Sequence, residues 1–174
     1  MESYRHLDLK HDLYWNLIQD DKYAEIEKVV GHTRTDLITE IKDHLVAVEI
    51  QYSPISIKAI LHRMQEHTKK GAYTLWLFPE EILTLGSTVR NLKWVKFIQH
   101  IQLGVIFILK TQQIIPARID NSVVYQLDTF IKGKEKILDQ QQPINFEDLS
   151  FKKNEDYGIN ITTVEEWWLD TYID

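Results

Sequence analysis

Two acidic residues in the stretch Arg34–Ser53, RTDLITEIKDHLVAVEIQYS, have the type and spacing to hold a metal ion: Asp36 and Glu49. Leu45–Gln51 is rich in β-branched residues and free of Gly and Pro, which favours a strand. Side chains alternate across a strand, so Val46, Val48 and Ile50 share one face, and Ala47, Glu49 and Gln51 the other. The preceding arm, Asp36–Ile41, alternates as well, with Asp36 and Ile38 on one face and Leu37 and Ile41 on the other. A tight turn at Lys42-Asp43 joins the arms as an antiparallel hairpin and pairs residues whose numbers sum to 85. Asp36 then sits opposite Glu49 on the same face. Opposed side chains lie roughly 4.5–5.5 Å apart at Cβ, and like charges there repel. Such a pair calls for a cation, a proton or an arginine. A hard divalent cation such as Mg²⁺ suits an all-oxygen set. Arg34 is close enough to serve instead, so a salt-bridged pair is the plain alternative. A register slip of one residue would move Asp36 to the opposite face.

Other elements must position this hairpin. Ser3–Ile18 reads as a helix, with Tyr4, Leu7, Tyr14 and Ile18 at helical spacing. Glu2, His6 and Lys10 fall four apart and form a stripe on another face, for which a solvated stripe is the simpler reading. Tyr23–Val30 reads as one strand, and Gly31–Thr33 turns it into the hairpin. Pairing Val30 near Thr35 places Glu27 opposite Ile38, on the face of Asp36, and makes Glu27 a further candidate carboxylate. Ser53-Pro54 reads as an N-cap with proline at the first helical position. The apolar stripe Ile57, Ile60, Leu61, Met64 carries that helix to about Lys70, with Gly71 as the stop. Tyr73–Phe78 is suited to a buried strand. Further on, Asn91–His100 reads as a helix with Leu92, Val95 and Ile98 on one face. Leu103–Leu109 and Gln113–Ile119 read as strands, with Pro116 at an edge or bulge. Ser122–Leu138 reads as a helix with Lys132, Lys134 and Lys136 near its end. Phe151–Ile161 reads as a strand, and Thr163–Tyr172 as a short helix carrying Trp167 and Trp168. A meander, a crossover helix and one more strand make a mixed sheet flanked by helices, an α/β (α+β) class.

The chain has 174 residues, long enough for one domain over 1–174, with a core over 1–110 and a C-terminal α/β extension over 111–174. A net charge of −6 argues against broad charge-driven nucleic-acid binding, yet permits a local basic face around an acidic centre. Without cysteine there is no disulfide and no cysteine zinc site. No apolar run approaches the ~18–20 residues of a membrane span, and the N-terminus lacks a signal-peptide layout. A cytoplasmic location is the default expectation. No P-loop, nucleophile elbow or His-metal spacing appears.

The pieces Arg34-x-Asp36, Glu49-x-Gln51-x-Ser53, Ile55-Ser56, Arg63, and Gly71 leading to Leu75-Trp76-Leu77 resemble the nuclease core of the competence protein CoiA family. Glu2-Ser3, His6 and Lys10 resemble the start of that core. The resemblance covers roughly residues 1–110. It implies the PD-(D/E)xK, or restriction-endonuclease-like, superfamily, with an αβββαβ core and Mg²⁺ or Mn²⁺ at an Asp and a Glu on adjacent strands. Carried over, Asp36 and Glu49 are the motif acids and metal ligands. Gln51 stands where the superfamily usually has lysine. Glu2 is a candidate for the helix glutamate that completes many such sites, and Glu27 for a further ligand. Arg34, Ser53, Arg63, Lys10 and Lys58 are supporting or phosphate-contacting candidates.

The resemblance implies a metal-dependent DNA nuclease in DNA uptake, recombination, a mobile element or defence, with RNA a weaker alternative. Relatives usually carry a cysteine-bearing segment before this core, so a minimal stand-alone core is the expectation here. A homodimer is an open alternative to a monomer. The competing reading is a catalytically weak or inactive module serving DNA binding or protein assembly. Gln51 and the net acidity favour that reading, whereas the paired Asp36 and Glu49 favour the nuclease.

Overall fold

A computed structural model describes residues 3–84, 92–120, 136–140 and 143–165. Helix α1 spans Tyr4–Gln19 and opens on Ser3, whose Oγ accepts the His6 N–H at 3.1 Å. Its buried face is Leu9, Leu13 and Leu17, a run of i,i+4 leucines, joined by Lys10. The expected stripe of Tyr4, Leu7, Tyr14 and Ile18 is not the core face, since Tyr4 is 89% exposed and Leu7 37%. Both stripes have helical period, so periodicity alone could not choose between them. The leucines are purely aliphatic and meet the aliphatic face of the sheet, each contributing about 1.5–3 kcal/mol by burial.

Strand β1 (Ala24–Ile26) is followed by a two-stranded ribbon of β2 (Val29–Val30) and β3 (Thr33–Arg34). The single strand expected over Tyr23–Val30 is broken because Glu27 takes a left-handed conformation, φ 54°, which an extended strand cannot contain. Strand β4 (Leu37–Ile41) and β5 (His44–Ile50) form the central hairpin. Pairs Leu37–Val48 through Ile41–His44 all sum to 85, as expected. Lys42 and Asp43 both have positive φ (50° and 66°), the geometry of a two-residue hairpin turn whose twist matches its strands.

Helix α2 (Ile57–Lys69) starts three residues later than expected. Ser56, not Ser53, is the N-cap, and its Oγ accepts the Ala59 N–H at 3.1 Å. Ser53, Pro54 and Ile55 form the connection instead. Ile57, expected in the apolar stripe, is exposed, while Ile60 and Met64 are buried. Strand β6 (Ala72–Pro79) follows Gly71, whose φ is +76°. After helix α3 (Glu80–Thr84), helix α4 (Lys93–Ile101) buries Val95 and Ile98, with Leu92 just before it. Strand β7 (Ile106–Lys110) begins three residues after the expected start, because Leu103 and Gly104 both turn through positive φ. Strand β8 (Gln113–Asp120) pairs with β7, and Pro116 faces Phe107 at a point where the ladder to β9 (Lys136–Gln140) has not yet begun at Ala117.

Past residue 120 the expectations needed correction. Lys136 and Leu138 lie in β9, not in a helix, and the rest of the helix expected over 122–138 falls outside the described residues, with Lys132 and Lys134. Phe151–Ile161 is a hairpin, β10 (Ser150–Asn154) and β11 (Ile159–Thr163), because Gly158 at φ +64° closes a turn within it. Thr163 ends a strand and Val164 and Glu165 are not helical, so the expected helix does not start at Thr163; its residues from 166 on, with Trp167 and Trp168, lie outside the described residues.

The sheet order is β1-β4-β5-β6-β7-β8-β9, with β11 pairing in parallel to β6 at Thr74. β5, β6 and β7 run parallel, while β4 and β8 pair with them antiparallel, so the sheet is mixed. Leucines of α1 pack with Leu37, Val46, Val48 and Ile50 on one face. Ile60, Met64, Trp76, Trp94 and Ile98 pack on the other, beneath α2 and α4. This is a mixed sheet flanked by helices, with the αβββαβ order at its centre and an added two-stranded ribbon. Among the described residues no helix is long and apolar enough to cross a membrane.

Candidate metal and nuclease site

Asp36 precedes β4 and Glu49 lies near the end of β5, so the hairpin register brings them together. Each carboxylate grips the other residue's strand. The Asp36 N–H donates to Glu49 Oε1 at 3.2 Å, and the Ile50 N–H donates to Asp36 Oδ2 at 2.8 Å. Glu49 is 3% exposed. Its neighbour from α2 is Arg63, whose Nη1 donates to Glu49 Oε2 at 2.6 Å and to the Arg34 carbonyl at 2.9 Å. Arg63, not Arg34, therefore supplies the arginine that the opposed acids call for. Burial pushes the Glu49 carboxyl up to about 7; the Arg63 charge opposes this, and the Asp36 charge adds to it.

α1 contributes a second cationic flank. Lys10 is 1% exposed, runs its stem beneath the helix, and brings Nζ to 2.9 Å from Glu27 Oε1 and 3.9 Å from Asp36 Oδ1. His6, one turn earlier, places Nε2 3.3 Å from Asp36 Oδ1. The solvated reading of the His6–Lys10 stripe is thus overturned, since both point at the acids. Glu27 pairs through its backbone with Asp36, donating N–H to the Asp36 carbonyl at 2.8 Å, two positions from the expected partner Ile38. A shift of two keeps the face. Its carboxylate is engaged by Lys10 and by Arg34 Nη2 at 2.9 Å, and the Lys10 hydrogen bond first of all lowers its pKa.

Ser3, His6, Arg34, Asp36, Glu49, Gln51, Tyr52, Ser53 and Arg63 line one open cleft of about 380 Å³. Gln51 lies at the end of β5, its N–H on the Leu77 carbonyl at 3.0 Å, and its side-chain amide donates to the Ser53 carbonyl at 2.7 Å. Tyr52, which sequence reasoning passed over, donates to Glu81, itself paired with Arg5, and so braces the rim. Its position next to Gln51 was the available signal. Lys58 is exposed on the first turn of α2 and does not line the cleft. Glu2 lies outside the described residues. Among the described residues, no three His, Asp or Glu side chains converge as a metal-binding group. The donor set is two carboxylates, with remaining positions open to water and phosphate oxygen. That set fits Mg²⁺, which keeps several waters and takes one or two carboxylates beside substrate phosphate.

The family model for the competence protein CoiA nuclease-like domain matches residues 2–154. The chain belongs to this family. The match runs well past residue 110, where the expected resemblance ends, and takes in β8, β9 and β10. No curated protein and no solved structure matches the chain. The family's nuclease-like character implies interaction with nucleic acid.

Proposed function

We propose that the chain is a metal-dependent nuclease that hydrolyses phosphodiester bonds in DNA, in the setting of DNA uptake, recombination, a mobile element or defence. The observation that carries the reading is the Asp36–Glu49 pair, interlocked across the hairpin and facing a cleft lined by Arg63 and Arg34, with the buried Lys10 beside Asp36. Like charges held this close are costly, and a site for a cation gives them a use. Asp36 and Glu49 would hold Mg²⁺ or Mn²⁺. Bound there, the ion would polarise a phosphate and lower the pKa of its water.

The chain's own residues divide the remaining tasks. Gln51 offers an amide that can orient a water or phosphate but carries no charge. Lys10, beside Asp36 where Gln51 leaves a charge unsupplied, provides the fixed positive field that the superfamily's lysine gives elsewhere. Arg63, about a third exposed, can turn its free guanidinium nitrogens to a phosphate while keeping Glu49. Arg34 and Ser53 line the cleft, and Lys58 stands outside it on the first turn of α2.

The second reading is a nuclease-fold module that binds without cutting. It is favoured by the uncharged Gln51 and by the Arg63 ion pair that already offsets Glu49. Incubation of supercoiled, linear and single-stranded DNA with Mg²⁺ or Mn²⁺ separates the two. Wild type should cut at least one substrate, and Asp36→Ala and Glu49→Ala should not. No cleavage by a folded wild type selects the module. Full cleavage by Glu49→Ala removes Glu49 from the site.

A further inference from the structure

Resting on the nuclease reading above, we propose that the outer face of α2 and α4 is a docking surface for duplex DNA, held through its phosphates. The chain as a whole carries −6, yet neither helix exposes an acidic side chain. α2 exposes Lys58, His62, Gln65 and Lys69, spaced four, three and four apart, which is one stripe of a helix. Its single acid, Glu66, is 4% exposed. It sits beneath Gly31, accepting the His32 N–H at 3.1 Å and Lys69 Nζ at 3.3 Å. α4 contains no Asp or Glu and exposes Lys93 and His100. Among the described residues the exposed acids lie outside both helices: Asp8, Asp12, Asp20, Asp21, Glu40 and Asp43 on α1, the turn after it and the β4–β5 hairpin, and Glu27, Glu147, Asp148, Glu155, Asp156 and Glu165 in other segments. The two helices thus present cations without an exposed acid among them, which a polyanion reads at distances near a Debye length.

The stripe is continuous with the cleft. β5, β6 and β7 run parallel, so α2, leaving β5, begins at the sheet edge where Glu49 and Gln51 lie. α4 ends shortly before β7 begins and therefore starts at that same edge. Lys58 and Lys93 stand in the first turns of the two helices, and Arg63 of α2 enters the cleft. Lys58 to Lys69 spans about 16 Å at 1.5 Å per residue, roughly five phosphate steps along one strand. The opposite end is closed by the turn bearing Glu155 and Asp156, where Tyr157 packs against Phe97 and His100.

The stripe also chooses between duplex and single strand. Single-stranded nucleic acid is held by aromatic platforms on which bases stack. None is exposed on α2, whose outward side chains are Lys, His and Gln, with Ile57. The exposed Tyr4 and Trp15 are on α1. A surface of cations without stacking groups suits a polymer whose bases are turned inward.

The test is fluorescence anisotropy of a short labelled duplex, and of one of its strands alone, titrated in EDTA across a salt series. Compared are wild type, the triple variant Lys58→Gln/Lys69→Gln/Lys93→Gln, and Lys42→Gln at the far hairpin turn. All four lysines are exposed, but Lys69 also pairs with the buried Glu66, so the circular dichroism spectrum of the triple variant is matched to wild type before binding is read. The expected result is tighter wild-type binding of the duplex and a log–log salt slope shallower by about 2.7 in the triple variant, three phosphate contacts at ~0.9 each. Lys42→Gln should match wild type. An unchanged slope in the triple variant, or preference for the single strand, overturns the surface. The same proteins assayed with Mg²⁺ keep the two proposals apart. A wild type that cuts while the triple variant binds with unchanged slope loses only this surface. A wild type that binds as expected but never cuts loses only the nuclease.

Discussion

Replacing Glu49 with glutamine should change how stability depends on pH. The Glu49 carboxyl is buried, and its pKa rises from the ordinary 4.5 to about 7. A group whose folded pKa is raised binds its proton more tightly in the native state. Its contribution is fully present below pH ~4.5 and is lost as pH climbs through about 7. A rise of about 2.5 units at 1.36 kcal/mol each makes the loss about 3 kcal/mol between pH 4.5 and 8. Glu49→Gln keeps the shape and an oxygen for Arg63 but has no proton to lose. One cost is constant with pH: its amide group must sit near the Asp36 N–H that now donates to Oε1. The variant should therefore be equal to wild type or weaker at pH 5, and gain on it by up to about 3 kcal/mol by pH 8. Urea unfolding in EDTA at pH 5, 6, 7 and 8 reads this directly. With a denaturant slope near 2 kcal/mol/M, the midpoint difference moves by about 1.5 M across the series. A difference that stays flat from pH 5 to pH 8 refutes the reasoning, because it means that Glu49 is not held at a raised pKa.

Three further outcomes follow from the same geometry. Arg63→Ala strips the counter-charge from a buried carboxylate and should cost about 3 kcal/mol at pH 8, most of it recovered when Glu49→Gln is added; urea unfolding of the double-mutant cycle checks this. Gly31→Ala combines φ +62° with a Cβ that would lie 2.6 Å from Glu66 Oε2 and 3.2 Å from the Glu66 carbonyl. A loss of about 2 kcal/mol in the same assay is expected, and a neutral result would show that the β2–β3 ribbon is not seated on α2. Lys10→Met preserves the buried stem and removes the ammonium beside Asp36 and Glu27. Cleavage should fall on the order of a hundred-fold with the circular dichroism spectrum unchanged, whereas wild-type cleavage would remove Lys10 from the site.

Much of this was legible in the chain itself, for local reasons. The hairpin register follows from alternation in Leu45–Gln51 and from a two-residue turn at Lys42-Asp43, both short-range properties. Once the register is set, Asp36 and Glu49 must meet. Gly71 stops α2 because a positive φ suits glycine, another local rule. Tertiary structure decided what periodicity leaves degenerate. α1 has two stripes of helical period, and only the aliphatic sheet beneath it selects Leu9, Leu13 and Leu17. That choice turns His6 and Lys10 toward the acids. The break at Glu27 belongs to the β1–β4 pairing, which no single strand's sequence contains. Arg63, 14 residues beyond Glu49, becomes its partner because α2 packs back over β6 and β11, so the raised Glu49 pKa is a property of the fold. Sequence determined which acids face each other. The packing of α1 and α2 against the sheet decided which cations they face and how little water reaches them.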